Sequence, residues 1–124
     1  MISVGKTVII VEDEPDTAEM FAEMVRLSGL QVLKSHGGVR ALDLIAEKRP
    51  AAVLLDIMMP DISGLEILRF MHRDPRLAQI PVIIISAKSL PSDIKTGLEA
   101  GASSYLTKPV SYSDLRHVLE EVVQ

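Results

Sequence analysis

The sequence predicts an α/β domain in which a parallel sheet, assembled from five successive βα units, is wrapped by helices on both faces. Three observations lead there. Short runs rich in β-branched residues alternate with stretches of helical period along 124 residues, a length that suits one compact domain with a real core. Several of those runs are apolar throughout rather than at alternate residues, as strands covered on both faces are. Four of the five runs then lead into polar or charged residues, at the strand ends where sheets of this class bind ligands.

Taken in order, Thr7 to Val11 is almost wholly apolar and reads as a central strand. Ala18, Phe21, Ala22 and Val25 follow at i, i+3, i+4 and i+7, and Gly29 is placed to end that first helix. Gln31 to Ser35 is more mixed, which suits an edge strand, and a weaker helix follows near residues 38 to 48. Val53 to Leu55 is again a central strand. The loop after it, Ile57 to Ser63, has its direction imposed by Pro60 and Gly64, and a third helix occupies residues 64 to 73. Val82 to Ile85 runs into Ser86. A fourth helix spans residues 91 to 100, where Gly97 costs roughly 1 kcal/mol of propensity relative to Ala and should make this helix the softest. The last strand carries Tyr105 and leads to Lys108 and Pro109. Ser111 with Asp114 forms a capping-box-like start to a final helix whose apolar stripe is Leu115, Val118, Leu119 and Val122. No repeat beyond the βα alternation, no low-complexity tract and no linker interrupts the pattern, so the expectation is one domain over residues 1–124 with no output domain.

Composition narrows the function. With 13 basic and 17 acidic side chains the net charge is −4, which argues against nucleic acid or an anionic membrane as partner. The absence of cysteine excludes disulfides, thiolate metal sites and a cysteine nucleophile, and suits a reducing compartment. No apolar stretch approaches the ~20 residues needed to span a bilayer, and the N-terminus lacks the layout of a signal peptide. A soluble cytoplasmic protein is expected.

The polar strand ends carry the chemistry. If the strands are parallel, Glu12, Asp13 and Asp56 converge at one rim, and three carboxylates so placed cannot all stay ionised without a cation. Oxygen-only ligands favour a hard ion, and one or two carboxylates with waters suit Mg²⁺. Lys108 adds a fixed positive charge. Together these groups suit phosphoryl transfer, with Asp56 as the nucleophile and metal and lysine neutralising the equatorial oxygens. Ser86 is placed to hydrogen-bond a phosphoryl oxygen.

The stretch Val8-Ile-Ile-Val-Glu-Asp-Glu14, the run Leu55-Asp-Ile-Met-Met-Pro60 followed by Gly64, the pair Ser86-Ala87 and the segment Gly101-Ala-Ser-Ser-Tyr-Leu-Thr-Lys-Pro109 resemble the receiver domain of two-component response regulators. The resemblance covers essentially the whole chain, and the order and spacing of the motifs are more specific than any one of them. It implies a flavodoxin-like sheet of order 2-1-3-4-5. It implies phosphorylation on Asp56, and Mg²⁺ held by Asp13, Asp56, the backbone carbonyl of Met58, and Glu12 directly or through a water. Ser86 becomes the switch hydroxyl, Tyr105 the switch aromatic and Lys108 the pocket lysine. Met58 and Lys88 occupy positions that tune the lifetime of the phosphoryl group. The implied donor is a histidine kinase or histidine phosphotransfer protein, docking near Glu14, Pro15 and the first helix. The implied downstream target reads the face made by the fourth helix, fifth strand and fifth helix, on a monomer or a weak phosphorylation-dependent dimer. Three features set this chain apart within the commoner pattern: Glu12 is the longer of the two acids usual at its position and reaches toward the metal through a water, Ser86 stands where Thr is usual, and Ser103 and Ser104 stand where acidic residues are frequent.

Plainer readings compete at several positions. Glu14 and Asp16 read better as carboxylates at a helix N-terminus than as site residues. From the residues alone Tyr105 is evenly divided between strand packing and switching, and only the resemblance favours the switch. His36, His72 and His117 share no metal-ligand spacing and read as surface or partly buried histidines. Most of the methionines read as core or gap fillers, whereas Met20 and Met24 lie off the first helix's apolar stripe and leave docking open. Other functions fit less well. An aspartyl-phosphate phosphatase wants a second carboxylate two residues after the nucleophile, and position 58 is Met. A flavin module wants a Ser, Thr and Gly loop after the first strand, which here is Glu-Asp-Glu. A phosphorylation-independent scaffold has no use for the intact set of Asp13, Asp56, Ser86 and Lys108.

Overall fold

The computed structural model describes residues 5–123. Five strands, β1 (Thr7–Val11), β2 (Gln31–Ser35), β3 (Ala52–Leu55), β4 (Val82–Ser86) and β5 (Ser104–Thr107), form one sheet of order β2-β1-β3-β4-β5. All four pairings are parallel. The helices α1 (Pro15–Leu27), α2 (Ala41–Lys48), α3 (Gly64–Arg73), α4 (Pro91–Glu99) and α5 (Tyr112–Val122) alternate with them. This is the flavodoxin-like α/β arrangement expected.

Alternation along each strand explains why the strands read as continuously apolar. Val8 and Ile10 face one side, where they meet Phe21 and Val25 of α1 and Leu115 and Leu119 of α5. Ile9 and Val11 face the other, where they meet Ile45 of α2 and Ile67, Leu68 and Met71 of α3. Successive side chains point to opposite faces, so covering both faces requires apolar residues at every position. β2, at the edge, is correspondingly more exposed.

Local chemistry sets the helix ends. The Glu14 carboxylate caps α1, accepting from the N–H groups of Asp16 (3.1 Å) and Thr17 (2.7 Å), and Gly29 follows the helix at φ +88°. Ser111 Oγ accepts from Asp114 N–H at 3.0 Å to start α5. α2 begins at Ala41, three residues later than the sequence pattern suggests. The reason lies in another loop: the Asp61 carboxylate accepts from Gly38 N–H (3.2 Å) and Val39 N–H (3.0 Å), holding that segment out of the helix.

Gly97 is the one fully buried residue of α4, whereas α1 buries Ala18, Phe21, Ala22 and Val25. A Cβ at Gly97 would lie 2.7 Å from Ile84 Cδ1 and 2.9 Å from Tyr105 Cδ2. Its propensity cost therefore has a packing reason, since glycine lets α4 lie directly on β4 and β5. Among the described residues no helix is long and apolar enough to cross a membrane.

Candidate functional site

Register builds the site. Val11 pairs with Leu55, and Leu55 with Ile84, so β1 and β3 finish level and Glu12 and Asp56 emerge side by side. Asp56 N–H donates to Val11 O at 3.0 Å and Glu12 N–H to Ser35 O at 3.0 Å, extending the sheet's ladder one residue into the site. Ser86 pairs with Thr107, which places Lys108 at the same rim.

Glu12 and Asp56 are both buried, at 3% and 7% exposure, and Asp13 beside them is half-buried. Lys108 Nζ donates to Glu12 Oε1 at 2.9 Å and to Asp56 Oδ2 at 3.3 Å. The second oxygen of each carboxylate is held by the backbone: Asp56 Oδ1 accepts from Met58 N–H at 2.9 Å and Glu12 Oε2 from Glu14 N–H at 3.2 Å. Burial works against the Lys108 charge. The hydrogen bond to Glu12 and the negative charges of Asp56 and Glu12 outweigh it, and the ammonium is held above the usual lysine range.

One oxygen from each of Glu12, Asp13 and Asp56 lies within 4.8 Å of the others. Three carboxylates face a single lysine, and the donors are all hard oxygens. That set fits a small divalent cation such as Mg²⁺.

The backbone around Asp56 is closely packed. A Cβ at Gly64, the first residue of α3, would stand 2.5 Å from Asp56 O and 2.6 Å from Ile57 Cα. Gly64 thus lets α3 press against the peptide that carries the carboxylate.

Ser86 is fully buried, and its Oγ accepts from Lys88 N–H at 3.1 Å. The Tyr105 hydroxyl donates to Lys88 O at 2.8 Å, while its ring lies against Gly97. Both residues therefore hold the same backbone unit, one by its N–H and one by its carbonyl. Burial pushes the Tyr105 hydroxyl above its usual range; a hydrogen bond with Ser86 opposes this, and the negative charges of Asp93 and Asp56 add to it. The Met58 and Lys88 side chains are exposed beside the site.

Two contacts escape the sequence reading. His36 Nδ1 lies 3.3 Å from Glu12 O, so this histidine, although exposed, braces the loop after β1. Asp61 ties the loop after β3 to the loop after β2, and those backbone donors, Val39 N–H first, hold its carboxyl below the ordinary range. An Asp after Pro60 in a turn is a visible signal for a local cap, but its partners 22 and 23 residues away are not. His72 packs on Gly101, and His117 Nε2 lies 3.4 Å from Glu121 Oε1; neither is near the site.

Comparison with known proteins agrees with this geometry. The sequence profile of the response regulator receiver domain matches residues 8–120. The chain is 36% identical over 106 residues to the polar-differentiation response regulator DivK of Brucella anthropi, a match covering 86% of each protein. Among solved structures it superimposes on a CheY-like response regulator receiver domain protein of Methanospirillum hungatei with a TM-score of 0.86 at 25% identity, covering 96% of this chain and 93% of that one. It also superimposes on the receiver domain of the sensor histidine kinase PA1611 of Pseudomonas aeruginosa, which was solved with a magnesium ion in its active-site cleft. That match has a TM-score of 0.87 at 27% identity and covers 96% and 98% of the two chains. On the profile match, the sequence relationship and the shared fold, this chain belongs to the response regulator receiver domain family.

Proposed function

We propose that this receiver takes a phosphoryl group onto Asp56 from a phosphohistidine of a kinase or phosphotransfer protein in the cytoplasm, and relays the event to a partner through α4, β5 and α5. The observation that carries the reading is the Asp56 carboxylate itself, buried, braced on one oxygen by Met58 N–H and on the other by Lys108. Such a group is preorganised for in-line attack. Its oxygen forms the bond to phosphorus as the N–P bond of the donor breaks, and the imidazole departs. Mg²⁺, when bound, would neutralise charge on the phosphoryl oxygens. Asp13, Asp56 and the Met58 carbonyl would hold it, with Glu12 acting directly or through a water. Lys108 is placed to pair with the product, and Met58 and Lys88 flank the phosphoryl group where they tune its lifetime. Intact mass after incubation with a small acyl phosphate and Mg²⁺ tests the reading: a gain of one phosphoryl group is expected.

Metal binding should depend on Asp13. Among the described residues no hydrogen-bond partner holds its side chain away from an ion, and losing a direct ligand should weaken Mg²⁺ by at least the roughly 10–100-fold typical of an outer-sphere change. Isothermal titration of Asp13→Ala against wild type measures this, and equal affinities would place the ion elsewhere.

The switch runs through Lys88. A phosphoryl group brings close to two negative charges and several acceptor oxygens, so the Ser86 hydroxyl turns toward it and releases Lys88 N–H. The Lys88 carbonyl, which holds the Tyr105 hydroxyl, moves with it, and Tyr105 passes the change to α4 across Gly97. The kinase docks apart from this face, around Glu14, Pro15 and α1, where Met20 is exposed. With beryllofluoride and Mg²⁺, amide shifts should change at the pocket and along residues 87 to 112. Perturbation confined to the neighbours of Asp56, or carried undiminished by Ser86→Ala, would refute the relay.

A further inference from the structure

The groove between α2 and α3 carries chemistry that the strand-end site does not use. Leu42 and Ile62 line it together with Glu66, Arg69, Phe70 and Arg73, around a volume of about 360 Å³. Ile67, Leu68 and Met71 already supply the face that α3 buries against the sheet. Phe70 is not needed there and remains 46% exposed, whereas the chain's other phenylalanine, Phe21, is 2% exposed.

The cations beside it are also unspent. Elsewhere on the surface Arg26 pairs with Glu19 and Glu23, Lys34 with Glu19, Arg76 with Asp74 and Arg116 with Glu120. Among the described residues the side chains of Arg69 and Arg73 have no ion-pair or hydrogen-bond partner. They stand one turn apart on α3, and Phe70 lies between them in sequence.

We infer that this groove docks an acidic amphipathic helix of a partner protein, its apolar residues over Leu42, Ile62 and Phe70 and its carboxylates on Arg69 and Arg73. A groove between two helices accepts a third laid along it, read by anchors one turn apart. Guanidinium groups favour carboxylates because their paired N–H donors match both oxygens, and Arg and Phe are enriched at interface centres. The chain as a whole carries −4, so it does not draw acidic partners in general. The attraction is local, acting within a screening length of about 10 Å. The groove is lined by α2 and α3, not by α1 or by the α4, β5 and α5 face, so the partner would bind without displacing either.

The test uses the ¹⁵N-labelled full chain and two synthetic 18-residue amphipathic helices, one of Leu and Glu and the other with Lys in place of Glu. Amide shifts on adding the Glu peptide should map to Leu42 and to residues 62 to 73, and should weaken with added salt. Arg69→Glu combined with Arg73→Glu should lower affinity at least about tenfold and admit the Lys peptide instead, and Phe70→Ser should lower it comparably. Because these side chains are exposed, the melting temperature should stay unchanged. No shifts with the Glu peptide, shifts on another face, or equal binding of both peptides would overturn the proposal. Groove shifts that grow with protein concentration alone would assign the surface to a second copy of the chain and overturn it too.

Discussion

Replacing Asp56 with asparagine should abolish phosphoryl labelling, the largest effect expected of any single substitution in this chain. The amide is nearly the same shape and keeps an oxygen to accept Met58 N–H, now 2.9 Å from Asp56 Oδ1. What it loses is the charge and the nucleophilic oxygen, and loss of a covalent nucleophile costs orders of magnitude that positioning cannot restore. The fold should not suffer. Glu12, Asp13 and Asp56 crowd three carboxylates around one lysine, and Lys108 keeps its closer contact to Glu12, at 2.9 Å, when Asp56 is neutralised. Relief of like-charge repulsion should leave the variant at least as stable as wild type in the absence of Mg²⁺. Intact-mass measurement and a thermal melt on the same sample separate the two effects. Equal labelling of both proteins would move the phosphoacceptor elsewhere, and loss of labelling with a collapsed melt would make Asp56 a structural residue.

Gly64→Ala should destabilise the protein by about 2–3 kcal/mol, near the upper end for an overpacked site. Two effects oppose each other. Alanine is the better helix former by about 1 kcal/mol, so a glycine at the start of α3 with open space beside it would gain from the change. Here the new methyl would meet Asp56 O at 2.5 Å and Ile57 Cα at 2.6 Å. Both are backbone atoms, which cannot swing away as a long side chain can, so repulsion wins. A fall in Tm of about 10 °C is expected for a domain of this size. Because the displaced peptide is the one that carries the Asp56 carboxylate, labelling of the folded variant should also slow. A variant that melts with wild type would show that α3 can recede at no cost.

Much of this was legible in the sequence because the determining interactions are local or periodic. Covered strands need apolar residues on both faces, so Thr7 to Val11 and Val82 to Ile85 declare themselves within five residues. Caps act within one turn, so Ser111 is visible beside Asp114, and Glu14 reads as a helix-terminal carboxylate before its N–H partners are seen. The strand-end position of Asp56 follows from the end of an apolar run.

Other features depend on atoms far apart in the chain. The late start of α2 is imposed by Asp61, more than twenty residues away, through hydrogen bonds that no local pattern encodes. Gly97 reads as a weak point in a helix until Ile84 and Tyr105 are seen beneath it. His36 gains its contact with Glu12 only because β2 lies beside β1. Lys108 meets Glu12 across 96 residues, and neither strand specifies that distance alone. Local residue patterns set which residues lie at the strand ends and what chemistry they own. The parallel register decided that those ends are level, and side-chain packing between loops decided how firmly each carboxylate is held.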